Sequence, residues 1–380
     1  MNILVTGAQG FIGKNLVATL EAVRDEKDET RGLPEDLQLL LWDVDTKPDL
    51  WDVYCSQADF VVHLAGINRP KEEEEFMTGN AGFTAQLLEN LEKHESSATV
   101  LMTSSIQAEL DNSYGRSKKA AEDLVLAYGR RPGRSGLVYR MPNVFGKWCR
   151  PQYNSAVATF CDQAARNLPL TVNDPATEMR LVYVDDVVDE IICAMKGNPR
   201  REGDACVIRP EYRCTLGRIA DLLRSFQESR ETLSPPNLED DFTRKLYAAY
   251  LSYLPSEQFA YPLTMHQDVR GSFTEMLRTP DRGQVSVNVS KPRVVKGNHW
   301  HHTKNEKFLV VSGTGVIRFR KIGESRVQEY FVNGETLRVV DIPTGYTHHI
   351  ENLGDDDLVT VMWASESFDP KRPDTYFEEV

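Results

Sequence analysis

The stretch "NILVTGAQGFIG", residues 2–13, decides how this chain is read. A short aliphatic run ends at Thr6, and glycines follow at 7, 10 and 13. An amphipathic segment, "GKNLVATLEAV" (13–23), comes directly after. The pattern is a strand, a tight turn and the start of a helix. Gly7 permits the turn, Gly10 lets the backbone approach a pyrophosphate, and Gly13 lets the helix pack close to the strand. The helix N-terminus then offers unpaired N–H groups, around Gln9, Phe11 and Ile12, to a phosphate. A glycine triplet alone is a common turn; its place at the first strand–helix junction gives it meaning.

Working outward, "LQLLLWD", "ADFVVHLAG", "ATVLMTSS" and "GLVYRMP" are further aliphatic runs typical of buried parallel strands. Between them, "FTAQLLENLEK" and "SKKAAEDLVLAYGR" have helical spacing. The alternation predicts an α/β, Rossmann-type doubly wound parallel sheet over residues 1–245. "EEEE" at 72–75 reads as a solvated loop or helix start. The double proline in "TLSPPNLEDDF" (232–242) cannot sit inside a helix or a central strand, so 246–261 is expected to be a connecting segment. From 262 to 380 the texture changes to "QVSVNVS", "KFLVVSG", "GVIRFRKI", "VQEYFVNG", "LRVVDIP" and "LVTVMWAS". These short alternating runs, separated by Gly, Asn and Asp turns, predict an all-β domain, a sandwich or a jelly roll.

A chain of 380 residues with net charge −13 is long enough for two or three domains. Its charge argues against nucleic acid or an anionic membrane as main partner. The six cysteines are scattered, with no C-x-x-C, as expected of free thiols in a reducing cytoplasm. "MNILVTG" enters a strand with no basic leader, and no apolar run approaches the roughly 18 residues of a membrane span. A cytoplasmic protein without membrane insertion is expected.

"NSYGRSKKAAEDL" places Tyr114 and Lys118 four residues apart, on one helical face. An ammonium beside a phenol favours the phenolate, so Lys118 is expected to lower the Tyr114 pKa and fit it for acid/base work on a carbonyl. Ten residues earlier "TSS" (103–105) ends a predicted strand, where a hydroxyl of Ser105 or Ser104 would polarise the same carbonyl. Asp43 and Asp45, after the second predicted strand, stand where a carboxylate binds a ribose 2′-OH, which favours NADH. A polar insertion around 25–36 displaces that strand, so the cofactor stays open as NAD(P)H. Together these residues resemble the extended short-chain dehydrogenase/reductase family over residues 1–230. The resemblance also rests on "HLAG" (63–66), Asn80 in "GNAGFT", "RMPNVFG" and "RLVYVDDV". It implies that Tyr114 is the acid/base, that Lys118 orients the cofactor ribose, and that Ser105 is the hydroxyl partner. It further implies cofactor contacts from Gly7 to Gly13, Asp43, Leu64, Ala65, Gly66 and Asn80. Asn143 and Arg180 fall where that family contacts a nucleotide-sugar.

In "GNHWHHTKNE" (297–306), His299 and His301 are two apart and share one strand face, while His302 points away. Glu306 can fold back to the first face, and His348 in "IPTGYTHHIEN" comes from another strand. Three imidazoles and a carboxylate suit Zn, Fe, Ni or Mn. The patterns H-x-H-x4-E-x6-G and P-x-G-x-x-H-x3-N resemble the two signatures of the cupin superfamily, a jelly-roll fold, over 262–380. "VVKGNHWHH" is also similar to the segment of the 3,5-epimerases of sugar nucleotides that carries a base histidine, which would be His299. Metal ligand and base thus compete for His299. Lys296, Tyr346 or a ligand histidine would serve the proton transfer, beside a structural or orienting zinc.

The whole chain resembles the bifunctional capsular-polysaccharide enzymes of the CapF type, which join a reductase domain to a cupin domain. That resemblance implies a UDP-linked 4-keto-6-deoxy N-acetyl sugar, C3 epimerisation followed by C4 reduction, NADPH (with NADH open), zinc and a homodimer. A non-catalytic NADP(H) sensor and a metal-dependent cupin oxygenase are the other readings.

Overall fold

A computed structural model describes residues 1–34, 36–203 and 205–380. The chain divides into two compact units, Met1–Arg224 with Leu238–Pro255, and Ser225–Asn237 with Ser256–Val380.

The first unit alternates strands and helices: β1 (Asn2–Thr6), α1 (Phe11–Arg24), β2 (Gln38–Trp42), α2 (Leu50–Gln57), β3 (Phe60–His63), α3 (Phe83–Lys93), β4 (Thr99–Ser105), α4 (Ser113–Gly129) and β5 (Ser135–Met141). It continues with β6 (Asn143–Phe145), α5 (Ala156–Ala165), β7 (Glu178–Tyr183), α6 (Val184–Met195), β8 (Arg201–Glu202), β9 (Ala205–Cys206), β10 (Tyr212–Thr215), α7 (Leu216–Thr232) and α8 (Asp241–Leu251). The main sheet has the order β2-β1-β3-β4-β5-β9-β8, and β1 to β5 are parallel. The aliphatic runs explain this: Ile3 and Val5 of β1 feed one apolar layer with Leu16, Leu20 and Ile191 of the helices α1 and α6. Leu4 feeds the opposite layer with Leu87, Leu91 and Val125 of α3 and α4. A strand covered on both faces has no polar side to show, hence the unbroken apolar runs. A smaller sheet, β10-β7-β6, extends the unit.

The observed division differs from the expected 1–245, 246–261 and 262–380. Residues 246–255 are not a linker. They belong to the first unit, and 246–251 complete α8, whose Phe242, Leu246, Ala249 and Tyr250 are buried. Lys245 ties that helix to α6 by its ion pair to Asp186 (2.9 Å). Residues 225–237 group instead with the β-rich unit, where Arg230 donates to the Gln258 carbonyl (2.6 Å) and Arg278 N–H to Leu233 (2.8 Å).

The second unit is antiparallel throughout: β11 (Met265–Asp268), β12 (Gly271–Thr279), β13 (Gly283–Ser290), β14 (Val295–Trp300), β15 (Glu306–Ser312), β16 (Thr314–Lys321), β17 (Val327–Asn333), β18 (Val339–Ile342), β19 (Tyr346–Asn352), β20 (Leu358–Ala364) and β21 (Tyr376–Phe377). Two sheets form, β11-β12-β13-β20-β15-β18 and β17-β16-β19-β14-β21. Phe308, Val310, Ile317, Phe319 and Ile350 make their apolar core. Strand β13 reverses the usual alternation. Its Gln284, Ser286, Asn288 and Ser290 are buried, while Val285, Val287 and Val289 are only partly so. A buried polar face marks an interior built as a chamber rather than as packed core.

Candidate active site and metal centre

In the first unit the glycine loop is shaped as its sequence requires. Gly7 sits at φ +72°, and a Cβ at Gly13 would lie 2.2 Å from the Gly7 carbonyl oxygen. The N-cap of α1 is Gly10, with no side-chain cap and no acid in the first turn, so the leading N–H groups of Phe11 and Ile12 stay open for phosphate. Asp43, just past β2, accepts the Gln9 N–H at 2.7 Å, while Asp45 holds the Gln9 amide at 2.9 Å. A cleft of about 690 Å³ runs beside this loop, lined among others by Gln9, Lys14, Asp43, Thr46 and Trp148. The insertion before β2 has therefore not moved Asp43 away from the loop.

Past β3, the backbone directly after Leu64–Gly66 is pinned at Ile67 by Asn80. Its Oδ1 accepts the Ile67 N–H (2.9 Å), and its amide donates to the Ile67 carbonyl (3.2 Å) and Ser117 Oγ (2.9 Å). His63 lies fully buried between Thr6 and Thr84, bonded at 2.7 and 2.9 Å. Burial, with a smaller push from Lys118, drops its pKa to about 3, so it is a neutral structural residue.

Asn112 caps α4 by accepting the Gly115 N–H (2.7 Å), which sets Tyr114 in the first turn beside Phe76 (centroids 5.5 Å apart). Ser105, at the end of β4, stands close enough to Tyr114 for its hydroxyl to favour the phenolate, while its Oγ accepts the Gln107 N–H at 3.1 Å. Ser104 alternates to the other side of the strand, its hydroxyl buried and unpartnered. Lys118 Nζ donates to the Thr103 carbonyl at 3.0 Å. The expected lowering of the Tyr114 pKa does not occur: burial pushes the phenol up, and the Ser105 hydroxyl offsets only part of this. The reason is that the ammonium is spent on the strand-end carbonyl, four residues along the helix but aimed at Thr103. Lys118 is itself pushed down to about 8 by burial, opposed by the Glu122 charge.

A raised phenol is a proton donor across the neutral range, whereas Lys118 keeps its charge only below about pH 8. The reductive kcat/KM, which reports the free enzyme, should therefore fall on the alkaline side through a limb near pH 8, well before Tyr114 ionises. A pH–rate profile flat to pH 10 would contradict this assignment.

Asn143 and Arg180 come together through the β6–β7 pairing, with the Asn143 amide donating to the Arg180 carbonyl (3.3 Å). The Arg180 guanidinium is already bidentate on Glu211, at 2.7 and 2.8 Å.

In the second unit His299, His301, Glu306 and His348 bring one ligand atom each to within 4.8 Å of all the others. Glu306 Oε2 lies 3.6 Å from His301 Nε2 and 3.4 Å from His348 Nε2. All three atoms are buried without a hydrogen-bond partner. Buried lone pairs that face one another with nothing between them fit a cation. His301 turns its Nδ1–H to the Asp374 carbonyl, which leaves Nε2 as a lone pair pointed inward. Burial, then His348 and His301, push His299 down to about 4, so it too is neutral near pH 7.

The route to this geometry includes a feature the plain strand reading missed. Gly297 (φ +116°) and Asn298 (φ +60°) form a bulge between the Gly297–His349 and His299–His348 pairs. The extra residue re-aims His299 toward His348. His302 points away as expected, its ring against Trp300 (4.5 Å) and Tyr376 (5.0 Å). Also unforeseen was Asp374. Its carboxylate accepts the N–H groups of His302, Thr303 and Lys304 at 2.9–3.0 Å and fixes the turn after the histidine strand. Partial burial works against its charge, but these bonds hold the carboxyl well below the usual carboxylate range.

Above the cluster opens a chamber of about 660 Å³, whose lining includes His266, Asp268, Asn288, Lys296 and His299. Lys296 Nζ donates to Val289 O (2.7 Å) and Asn288 Oδ1 (2.9 Å). Tyr346, considered for the same chemistry, is not among the lining residues and packs on the apolar core.

Residues 3–208 match the model of the NAD dependent epimerase/dehydratase family, and residues 266–376 that of the polysaccharide biosynthesis C-terminal domain. The chain is 42% identical to a UDP-2-acetamido-2,6-beta-L-arabino-hexul-4-ose reductase of Pseudomonas aeruginosa, over 99% of this chain and 98% of that one. It superposes on the capsular polysaccharide assembling protein CapF of Staphylococcus aureus with a TM-score of 0.93, at 51% identity and with both chains fully covered. The chain therefore belongs to the NAD dependent epimerase/dehydratase family and, along its whole length, to the family of CapF. Among the described residues no helix is long and apolar enough to cross a membrane.

Proposed function

We propose that this protein is a bifunctional enzyme of capsule or surface polysaccharide synthesis. Its second unit epimerises C3 of a UDP-2-acetamido-2,6-dideoxy-4-keto-hexose. Its first unit reduces the C4 ketone with NAD(P)H to UDP-2-acetamido-2,6-dideoxy-L-talose, a precursor of UDP-N-acetyl-L-fucosamine. The observation that carries the reading is the gathering of Ser105, Tyr114 and Lys118 at the carboxyl end of β4, in a chain that also holds a polar chamber over three histidines and a glutamate. The name of the Pseudomonas relative, a reductase of a UDP-linked hexul-4-ose, supports the first half.

In this reading the dinucleotide, when bound, supplies the hydride that reaches C4. Tyr114 gives its proton to the C4 oxygen, Ser105 donates a hydrogen bond to the same oxygen, and the Lys118 charge steadies the ribose and the phenol after its proton has left. The phenol is reprotonated from solvent, which closes the proton balance. In the second unit a neighbouring ketone acidifies the C3 hydrogen, and a base removes it so that a proton can return on the opposite face. Lys296 and His299 line the chamber and Tyr346 does not; with the His299 lone pair turned to the metal, the proton movement is assigned to Lys296 on that wall. His299, His301, Glu306 and His348 fit zinc, whose charge when bound would hold the four side chains together. Reduction traps the product, because it removes the carbonyl that acidified C3. The working form is a homodimer in the cytoplasm.

Mixing the protein with the UDP 4-keto sugar and NADPH or NADH should consume nicotinamide absorbance, and heavy water should place deuterium at C3. No consumption with either dinucleotide would sink the reductase half.

A further inference from the structure

A row of polar side chains crosses the outer face of the sheet β17-β16-β19-β14, on the reverse side from the four candidate ligands. Arg318 is directly opposite Glu329 in the β16–β17 pairing and opposite His349 in the β16–β19 pairing. Its Nε donates to Glu329 at 2.6 Å, and its Nη1 donates to the Glu351 carboxylate and, at 3.3 Å, to His349 Nε2. A guanidinium can only donate, so Nε2 of His349 is an acceptor and Nδ1 carries the ring proton. That Nδ1–H donates in turn to Asn298 Oδ1 at 2.9 Å.

Asn298 is the extra residue of the β14 bulge, with φ of +60°, and the residue after it is His299. A residue with a side chain stays in this left-handed region only when its surroundings hold it there. Two contacts besides the His349 bond do so. The Asn298 carbonyl accepts the Glu378 N–H at 3.0 Å. Gly297 is pressed so close to β19 that a Cβ on it would lie 2.8 Å from both the His348 carbonyl oxygen and the His349 Cα. Neighbouring residues of a strand face opposite ways. His348 therefore reaches inward to Glu306, while His349 grips the bulge from behind.

We infer that His349 and Asn298 are positioning residues of the metal centre, their bond locking the bulge so that His299 is held as a ligand. This rests on the reading that His299, His301, Glu306 and His348 bind a metal. The pair acts through the backbone of β14. Arg318, fixed by its two carboxylates, keeps the His349 ring in the tautomer that can make the bond.

The test uses the full chain, with zinc as probe in competition with a chromophoric chelator. His349→Val keeps a strand-forming side chain and removes one half of the bond, and Asn298→Gly keeps the left-handed backbone and removes the other. Each should weaken zinc binding by about 10–100-fold, the usual cost of losing a group that orients a ligand. In His349→Asn the amide nitrogen stands where Nδ1 stood and can still donate to Asn298, so zinc affinity should stay close to the wild-type value. With cobalt in place of zinc, the visible absorption bands follow the number and geometry of the ligands. They should change in the first two variants and persist in the third. Zinc affinity equal to the wild type in His349→Val, with only the melting temperature of the metal-stripped protein lowered, would make the pair a plain stabiliser of β14 and overturn the inference. So would a His349→Asn that binds zinc as poorly as His349→Val, since the bond would then not be the cause. A wild type that binds no zinc would overturn the metal centre itself, and this inference with it.

Discussion

Tyr114→Phe is expected to lower ketone reduction by about 10²–10⁴-fold, the usual worth of a positioned proton donor, while deuterium exchange at C3 continues at the wild-type rate. The substitution removes one oxygen atom from a half-buried ring. The packing on Phe76 remains, and so does the Asn112 cap that sets the helix turn. Lys118 keeps its bond to Thr103, so the cofactor's surroundings are not disturbed. What disappears is the proton for the C4 oxygen and the phenol oxygen beside Ser105. The raised phenol pKa sharpens the expectation: in the wild type Tyr114 carries its proton at neutral pH, so the variant lacks a donor that was present rather than one rarely available. Nicotinamide consumption measures the first activity and mass spectrometry of the recovered sugar the second. Loss of both in this one variant would contradict the division of labour between the two units.

How much of this was legible beforehand depends on how local each determinant is. The central sheet could be read because every parallel strand carries its own aliphatic run, as Ile3, Leu4 and Val5 do for both layers at once. The sheet β10-β7-β6 could not, since "EMRLVY" mixes charge with apolar residues and its strand-forming partners lie in separate segments. In β13 the alternation was plain, but nothing local says that Gln284, Ser286 and Asn288 face inward; that is decided by the interior they are buried in, where Asn288 reaches the chamber. Position 246 looked like the start of a linker because Pro235 and Pro236 break the chain just before it. α8 then returns to the first unit through side chains such as Lys245, whose partner Asp186 is 59 residues away. The four candidate ligands were legible as residue types, and the strand period placed His299 and His301 together. The bulge at Asn298, the register that brings up His348, and Asp374, 73 residues from His301, are long-range facts with no local signal. The Tyr114 pKa was misjudged for a related reason. Helical spacing fixes where Lys118 starts, but the Thr103 carbonyl fixes where its ammonium ends.

Glu306→Gln should cost this protein its metal. In the wild type Glu306 Oε2, His301 Nε2 and His348 Nε2 converge in a buried place without hydrogen-bond partners, and a cation would satisfy all of them together. The amide keeps the shape of the carboxylate but loses its charge and can turn a donor face toward the imidazoles. Perturbing second-shell partners alone costs metal sites about 10–100-fold in affinity, so losing the charged ligand itself should cost more than about 100-fold. Because bound metal stabilises only the folded state, wild-type protein with zinc at a thousand times its Kd gains about 4 kcal/mol. Chelation should therefore lower the wild-type melting temperature by several degrees and leave Glu306→Gln nearly unmoved. Metal content per chain and the chelator-induced shift in Tm are the two measurements. If the variant retains a full equivalent of zinc, or if chelation moves both proteins equally, the four side chains do not form the metal centre. The inward lone pairs would then have to be satisfied by substrate alone.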